Sequence, residues 1–100
     1  MPISAICSND GQESVIKISG RFDFGEHQAF KTACDACDSA QKYTLDLRAT
    51  EYVDSSALGM LLILRDKVGG DKSRVKILNA NSEVKKVLSI ANFEKLFTII

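Results

Sequence analysis

The sequence predicts one α/β domain built on a small, mixed and mostly parallel β-sheet. From residue 43 onward, segments with the two-residue period of a strand alternate with segments of helical period, in the order strand, helix, strand, helix, strand. This order is typical of right-handed βαβ units, whose consecutive strands are parallel. A strand pair near the N-terminus makes the sheet mixed. A chain of 100 residues, 45% of them hydrophobic, suffices for one core and one domain over residues 1–100.

The N-terminal half predicts a hairpin followed by a helix. Residues 3–7 and 15–19 have the composition of strands, and Asn9-Asp10-Gly11 between them favours a turn. Residues 25–40 have helical spacing. The expected inner face of this helix consists of Phe30, Ala33, Cys34, Cys37 and Ala40.

The C-terminal half predicts the remaining strands and helices. Residues 43–47 and 74–78 indicate strands, and the apolar residues 96–100 are expected to close the sheet. A second helix over residues 55–68 ends at Gly69-Gly70, and Ser82 is the predicted cap of the last helix. We therefore expect three to four helices in all.

The composition argues against nucleic-acid and membrane partners. Lys and Arg number 13 and Asp and Glu number 13, so no field of one sign attracts the chain to nucleic acid or an acidic membrane. The N-terminus lacks the pattern of a signal peptide, and no apolar run is long enough to span a membrane. The odd number of Cys, 3, predicts reduced thiols and a cytoplasmic location.

The tripeptide Asp54-Ser55-Ser56 stands directly before the second helix and allows two interpretations. The first is a helix cap, in which Asp or Ser accepts a backbone N–H. The second is a phosphoacceptor, because a hydroxyl at a helix start lies beside free amides that can hold an anion. A serine without a local base suits phosphorylation by another protein. Asp23, after the second strand, is either a turn residue or a carboxylate close to Ser55, if the two strands are neighbours.

An enzyme is the least favoured class. His27 is the sole histidine, and no Gly-x-Ser-x-Gly elbow surrounds Ser55. Cys34 and Cys37 lie inside the first predicted helix on its apolar face, whereas a redox pair opens a helix and zinc needs two more ligands. The sequence therefore predicts small core residues at both cysteines, and no catalytic residue, bound metal or cofactor.

The second helix is apolar on every face over residues 57–64, which is more surface than a small sheet can cover. Leu58, Met60 and Ile63, together with Phe24, are the predicted partner-binding residues. The alternative, that the third helix and the loop over residues 22–24 cover this surface, is equally open.

The chain resembles the STAS domain, and specifically the stand-alone anti-sigma factor antagonists, over nearly its whole length. Gly20-Arg21-Phe22-Asp23 is similar to the family's Gly-x-Leu/Phe-Asp after the second strand. Residues 52–59, Tyr-Val-Asp-Ser-Ser-Ala-Leu-Gly, are similar to its Asp-Ser-Ser/Thr-Gly-Leu-Gly signature. Ala57 departs from the usual Gly, and a methyl beside the site is expected to tune access by a kinase.

The resemblance implies a partner-switching regulator rather than an enzyme. Ser55 is then the phosphoserine, supported by Asp23, Asp54 and Ser56. The unphosphorylated domain binds an anti-sigma factor or a serine kinase of the histidine-kinase-like ATPase type. Phosphorylation abolishes that binding, and a PP2C-type phosphatase restores it. We expect a monomer or weak dimer. The alternative function is a constitutive STAS subunit of a lipid-transport or signalling complex, without a phospho-switch.

Overall fold

The computed structural model of the protein describes residues 2–37, 40–70 and 74–100. Its centre is a five-stranded sheet in the order β1-β2-β3-β4-β5, in which β1 and β2 are antiparallel and all other pairs are parallel. The strands are β1 (Ile3–Cys7), β2 (Glu13–Phe22), β3 (Lys42–Val53), β4 (Arg74–Leu78) and β5 (Thr98–Ile99). The predicted mixed and mostly parallel α/β sheet is confirmed.

Three α-helices accompany the sheet in the part of the chain that the structure describes: α1 (His27–Asp35), α2 (Ser55–Lys67) and α3 (Ser82–Ile90). Short 3₁₀ turns precede α1 and follow α3. α1 packs against β1 and α2, while α2 and α3 pack against β3. Alternate strand residues such as Ile16 and Leu45 are buried, whereas Lys17 and Lys76 are exposed. The helices therefore cover one face of the sheet and leave the other open.

β3 is far longer than the predicted strand over residues 43–47. The prediction stops short because two irregularities interrupt the alternation of buried and exposed residues in the second half of the strand. The register of β3 against β2 shifts twice, and each shift adds one residue to β3. Buried residues consequently recur at every third position, at Leu47, Thr50 and Val53. The Thr50 hydroxyl is buried and donates a hydrogen bond of 2.7 Å to the Ile18 carbonyl. A pattern of strict alternation cannot detect this half of the strand.

The end of α1 and the length of β5 differ from the prediction. α1 ends at Asp35 rather than near residue 40, and the freed carbonyl of Cys34 accepts a hydrogen bond of 3.0 Å from the Tyr43 hydroxyl. β5 is short because the amides of Leu96 and Phe97 donate to the Phe93 carbonyl instead of to a neighbouring strand.

The prediction that Ser82 caps the last helix is wrong, because Asn81 is the cap. The Asn81 Oδ1 atom accepts a hydrogen bond of 2.8 Å from the Val84 amide. Its Nδ2 atom donates a second bond, of 3.1 Å, to the Thr50 carbonyl. An amide side chain has separate donor and acceptor atoms and therefore makes both bonds at once. Asn81 thus fixes α3 to the outer half of β3.

The cysteines are only partly as the sequence predicts. Cys34 and Cys37 are buried, as expected. The expectation of three reduced thiols is wrong for two of them, because Cys7 and Cys37 form a disulfide with their Cα atoms 5.9 Å apart. Cys34 remains a free thiol. The bond ties the end of β1 to Cys37, which lies two residues beyond the end of α1.

We predict that reduction of this disulfide lowers the free energy of unfolding by about 3–4 kcal/mol. The two cysteines are 30 residues apart, and the loop that they close restricts the unfolded chain by that amount in a chain-entropy model. Urea unfolding with and without reductant measures the difference. Cys34→Ser is the matched control and should keep the full response to reductant. Equal stability of oxidised and reduced protein would contradict the prediction.

Candidate functional site

The candidate site lies where β2 and β3 end side by side. Phe22, the last residue of β2, pairs with Val53, the last residue of β3. The Asp54 amide continues this pairing with a hydrogen bond of 3.4 Å to the Phe22 carbonyl. Asp23 and Asp54 therefore begin neighbouring turns at one edge of the sheet. The expectation that the two strands are neighbours is confirmed, and sites of parallel α/β sheets typically lie at such an edge.

Asp54 is the N-cap of α2. Its backbone is extended, with φ −114° and ψ −178°, and its Oδ1 atom accepts a hydrogen bond of 2.9 Å from the Ala57 amide. Its own carbonyl accepts the first bond of the helix, of 3.2 Å, from the Leu58 amide. The sequence allows Asp54, Ser55 or Ser56 as the cap, and the structure identifies Asp54. Neither serine caps the helix.

Ser55 is the first residue of α2 and is exposed, whereas Ser56 is half-buried. The Ser55 hydroxyl makes no hydrogen bond within the described residues, so nothing there holds it away from an incoming group. It stands in the first turn of the helix, where backbone N–H groups have no partner within the helix and the helix end carries partial positive charge. This environment stabilises an anion attached to the hydroxyl.

Asp23 has a structural task of its own. Its Oδ1 atom accepts a hydrogen bond of 3.1 Å from the Gly25 amide and so caps the short turn before α1. Its Oδ2 atom lies 3.4 Å from Arg21 Nε. The Arg21 guanidinium in turn lies over the Tyr52 ring, 4.2 Å from its centroid. Arg21 balances part of the negative charge at the edge of the sheet, and this cation–π contact holds it there.

Sequence reasoning missed the roles of Arg21 and Tyr52. The two residues are register partners on β2 and β3, beyond both register shifts. Nothing in either strand alone indicates that they meet. Their contact follows only once the two additional residues of β3 are known.

The predicted partner-binding residues divide into surface and core. Phe24 is 71% exposed and Ile63 is 65% exposed, so both offer apolar surface. Leu58 is half-buried, and Met60 lies in the core with 5% exposure. Leu62, which the sequence did not single out, is partly exposed. The outer surface of α2 therefore carries Ser55 and, about two turns further along the helix, Leu62 and Ile63.

Gly59 occupies the middle of this outer surface. A Cβ atom added there would meet no atom within 4 Å, so packing within the described chain does not require a glycine. Glycine in a helix interior costs about 0.5–1 kcal/mol relative to alanine. Ala57, by contrast, is fully buried, so its methyl packs in the core. The expectation that residue 57 tunes access by a kinase stays a prediction.

The other chemically reactive side chains are engaged elsewhere. His27 stacks on Phe24, with ring centroids 6.0 Å apart. Burial raises the pKa of Cys34 to about 12, which leaves its thiol protonated and a poor nucleophile. Cys37 is joined to Cys7, so Cys34 and Cys37 do not form a redox pair. Across residues 2–37, 40–70 and 74–100, no three His, Cys, Asp or Glu side chains converge to hold a metal ion.

A family model described as "Mlab, STAS domain" matches residues 7–99 of the chain. The chain belongs to the STAS domain family. A curated relative, a STAS-domain containing protein of Pseudomonas aeruginosa strain UCBPP-PA14, is 51% identical over 100 residues, which is 99% of each chain. The family resemblance seen in the sequence is thereby confirmed.

Solved structures show the same fold at low sequence identity. An anti-sigma factor antagonist from Mycobacterium paratuberculosis has a TM-score of 0.79 and 22% identity, covering 97% of this chain and 84% of its own. The anti-sigma factor antagonist SpoIIAA in its unphosphorylated form has a TM-score of 0.76 and 15% identity, covering 98% and 86%. The phosphorylated form of the Bacillus SpoIIAA has a TM-score of 0.68 and 16% identity, covering 98% and 90%.

The STAS fold of this chain is thus that of the stand-alone anti-sigma factor antagonists. No helix in the described part of the chain has the length and apolar character needed to cross a membrane.

We predict that Asp54→Ala lowers the free energy of unfolding by about 1 kcal/mol, because it removes the acceptor for the Ala57 amide. Asp54→Asn keeps an acceptor and should retain most of the stability. Ser56→Ala should change stability by less than about 0.5 kcal/mol. Urea unfolding of the three variants checks this order, and a larger loss from Ser56→Ala than from Asp54→Ala would identify the hydroxyl as the cap.

Proposed function

We propose that this STAS domain is a partner-switching regulator of the anti-sigma factor antagonist type, controlled by phosphorylation of Ser55. The observation that carries the proposal is the exposed hydroxyl of Ser55 in the first turn of α2, next to a cap that Asp54 already supplies. The proposed partner is an anti-sigma factor or serine kinase with the histidine-kinase-like ATPase fold. A relative of the same fold has been solved in unphosphorylated and phosphorylated forms, which supports a phospho-switch.

The phosphoryl transfer needs no catalytic group from this chain. The Ser55 Oγ atom attacks the γ-phosphorus of ATP held by the kinase, and the new O–P bond forms as the bond to ADP breaks. The hydroxyl proton passes to a base of the kinase. A PP2C-type phosphatase then hydrolyses the phosphoserine. The STAS domain supplies the position of the acceptor and remains a substrate rather than an enzyme.

The charge of the phosphate accounts for the loss of binding. The unphosphorylated domain exposes Ile63 and Leu62 on the same helix as the neutral Ser55 hydroxyl, and Phe24 in the turn that follows β2. Phosphorylation adds about −1.5 to −2 charge at the edge of this apolar surface. The helix start stabilises part of that charge within the free domain, whereas the carboxylates of Asp54 and Asp23 oppose it. Desolvating the phosphate against an apolar partner therefore weakens the complex.

We predict that Ser55→Asp weakens partner binding at least about tenfold, which corresponds to about 1.4 kcal/mol. Ser55→Asn has the same shape without the charge, so it is the matched control and should bind within about threefold of the wild type, as should Ser55→Ala. Isothermal titration calorimetry with the kinase partner measures all four affinities. Equal affinities of the Asp and Asn variants would contradict the charge mechanism.

Gly59→Ala tests the partner-binding face separately. We predict that it raises the free energy of unfolding by about 0.5–1 kcal/mol, since the new methyl meets open space and alanine favours the helix. We also predict that it weakens partner binding, because a backbone approach that a glycine permits is blocked. Ser89→Ala, at an exposed position of α3, is the control and should leave binding unchanged. Unchanged affinity of the Gly59→Ala protein would contradict the prediction, because the partner would then bind away from this face of α2.

The alternative function is a constitutive binding subunit of a larger complex. Such a subunit would bind its partner with equal affinity as the Ser55→Asp and Ser55→Asn proteins, and it would carry no phosphate when purified from its own cell. The exposed and unengaged Ser55 hydroxyl favours the phospho-switch.

A further inference from the structure

The disulfide between Cys7 and Cys37 joins two parts of the chain that other contacts also hold in place. β1 pairs with β2 along its whole length, and Cys7 itself lies opposite Ser14 in this pairing. The Tyr43 hydroxyl donates a hydrogen bond of 3.0 Å to the Cys34 carbonyl and lies 3.5 Å from the carbonyl oxygen of Cys37. Opening of the disulfide therefore removes a crosslink without releasing either part from its neighbours.

The two cysteines of the disulfide differ in their access to solvent. Cys7 is exposed at the end of an edge strand, whereas Cys37 is 5% exposed. The rate at which a thiolate attacks a disulfide depends on access to the sulfur, and exposed disulfides are the labile ones. The Cys7 Sγ atom also lies 3.6 Å from the Ala36 carbonyl oxygen, which can accept a hydrogen bond once this sulfur carries a proton. The same position thus suits a thiol as well as a disulfide.

Cys34, the third cysteine, is a poor nucleophile toward this disulfide. It is a buried free thiol three residues before Cys37. Burial raises the pKa of Cys34 to about 12, so the thiol is protonated at neutral pH. Only a thiolate attacks a disulfide. Because the chain has 3 Cys, a thiolate that opens the bond must come from another molecule.

We propose that Cys7 is a site of reversible S-thiolation by a low-molecular-weight thiol such as glutathione, with Cys37 as the resolving thiol. The external thiolate attacks Cys7 Sγ, and a new S–S bond forms there as the bond to Cys37 breaks. The released Cys37 thiolate takes a proton from water. A second external thiolate can then remove the first as a small-molecule disulfide, so that two small thiols are oxidised and the protein disulfide is reduced. In the reverse direction, the Cys37 thiolate attacks Cys7 Sγ and expels the small thiol.

The proposed site lies at the opposite end of the sheet from the candidate phosphorylation site. Cys7 pairs with Ser14 near the start of β2, whereas Asp23 follows Phe22 at the end of β2. A strand rises about 3.3 Å per residue, which places the two sites about 25 Å apart. The inference does not depend on the proposed phospho-switch. Ser55→Ala should therefore be thiolated at the same rate as the wild type.

The matched variants Cys37→Ser and Cys7→Ser test which cysteine reacts. Each folded variant is incubated with oxidised glutathione, and peptide mass spectrometry locates the adduct. We expect Cys37→Ser to form an adduct at Cys7 at least about tenfold faster than Cys7→Ser forms one at Cys37 or Cys34, because a buried thiol reacts only when the chain around it opens. Urea unfolding gives the unfolded fraction of each variant, for which the rates are corrected. Equal corrected rates would overturn the proposal.

The wild-type protein provides a second test that needs no variant. Excess reduced glutathione under native conditions should open the disulfide, and acid quenching should trap the mixed disulfide on Cys7. Oxidised glutathione added afterwards should restore the bond between Cys7 and Cys37. Cys34→Ser is the control and should behave as the wild type does. A disulfide that glutathione reduces only in urea would be a purely structural crosslink and would overturn the proposal, as would a mixed disulfide trapped on Cys37.

Discussion

The parallel pairing of β2 with β3 is the constraint on which the candidate site depends. It continues to the last residue of both strands, where Phe22 lies beside Val53, and it fixes the places at which the two following turns begin. Asp23 and Asp54 each cap their own turn with a side-chain oxygen. The ladder sets the position of the turns, and the caps set the direction in which α1 and α2 leave the sheet. Ser55 is presented to solvent as a consequence of both.

Two register shifts make this arrangement possible. Each adds one residue to β3 and reverses the side of the sheet to which the following side chains point. Two reversals restore the original phase, so Val53 is buried like Leu45 and Leu47. The buried hydroxyl of Thr50 is satisfied by the Ile18 carbonyl, and its own carbonyl receives the Asn81 side chain. Hydrogen bonds of a single polar residue thus join β2, β3 and the start of α3.

The sequence predicts the fold well where its periodicity is regular. The bounds of β1 and β4, the start of α2 and the parallel order of the central strands all follow from apolar spacing and turn residues. The outer half of β3 escapes prediction because its buried residues recur every third position. The disulfide between Cys7 and Cys37 escapes it because an odd cysteine count carries no information about distance. Asn81 and Ser82 are both good capping residues, and only the contact with Thr50 distinguishes them.

The candidate site, like the fold, is predicted only in part by the sequence. The sequence locates Asp54, Ser55 and Asp23 at one edge of the sheet, because adjacent parallel strands end there. It cannot separate the capping residue from the residue left free, since Asp and Ser have similar capping preference. The structure separates them, and it also moves Met60 from the predicted surface to the core. The proposed switch therefore depends on separate roles for two neighbouring residues. Asp54 caps the helix, and the Ser55 hydroxyl is free to accept a phosphate.

Phosphosite mapping by mass spectrometry tests most directly whether Ser55, rather than Ser56, accepts the phosphate. The wild-type protein, Ser55→Ala and Ser56→Ala would each be incubated with ATP and the serine kinase of the cognate partner-switching system. The account predicts one phosphate, on Ser55, in the wild type and in Ser56→Ala, and none in Ser55→Ala. A phosphate on Ser56, or full modification of Ser55→Ala, would contradict it.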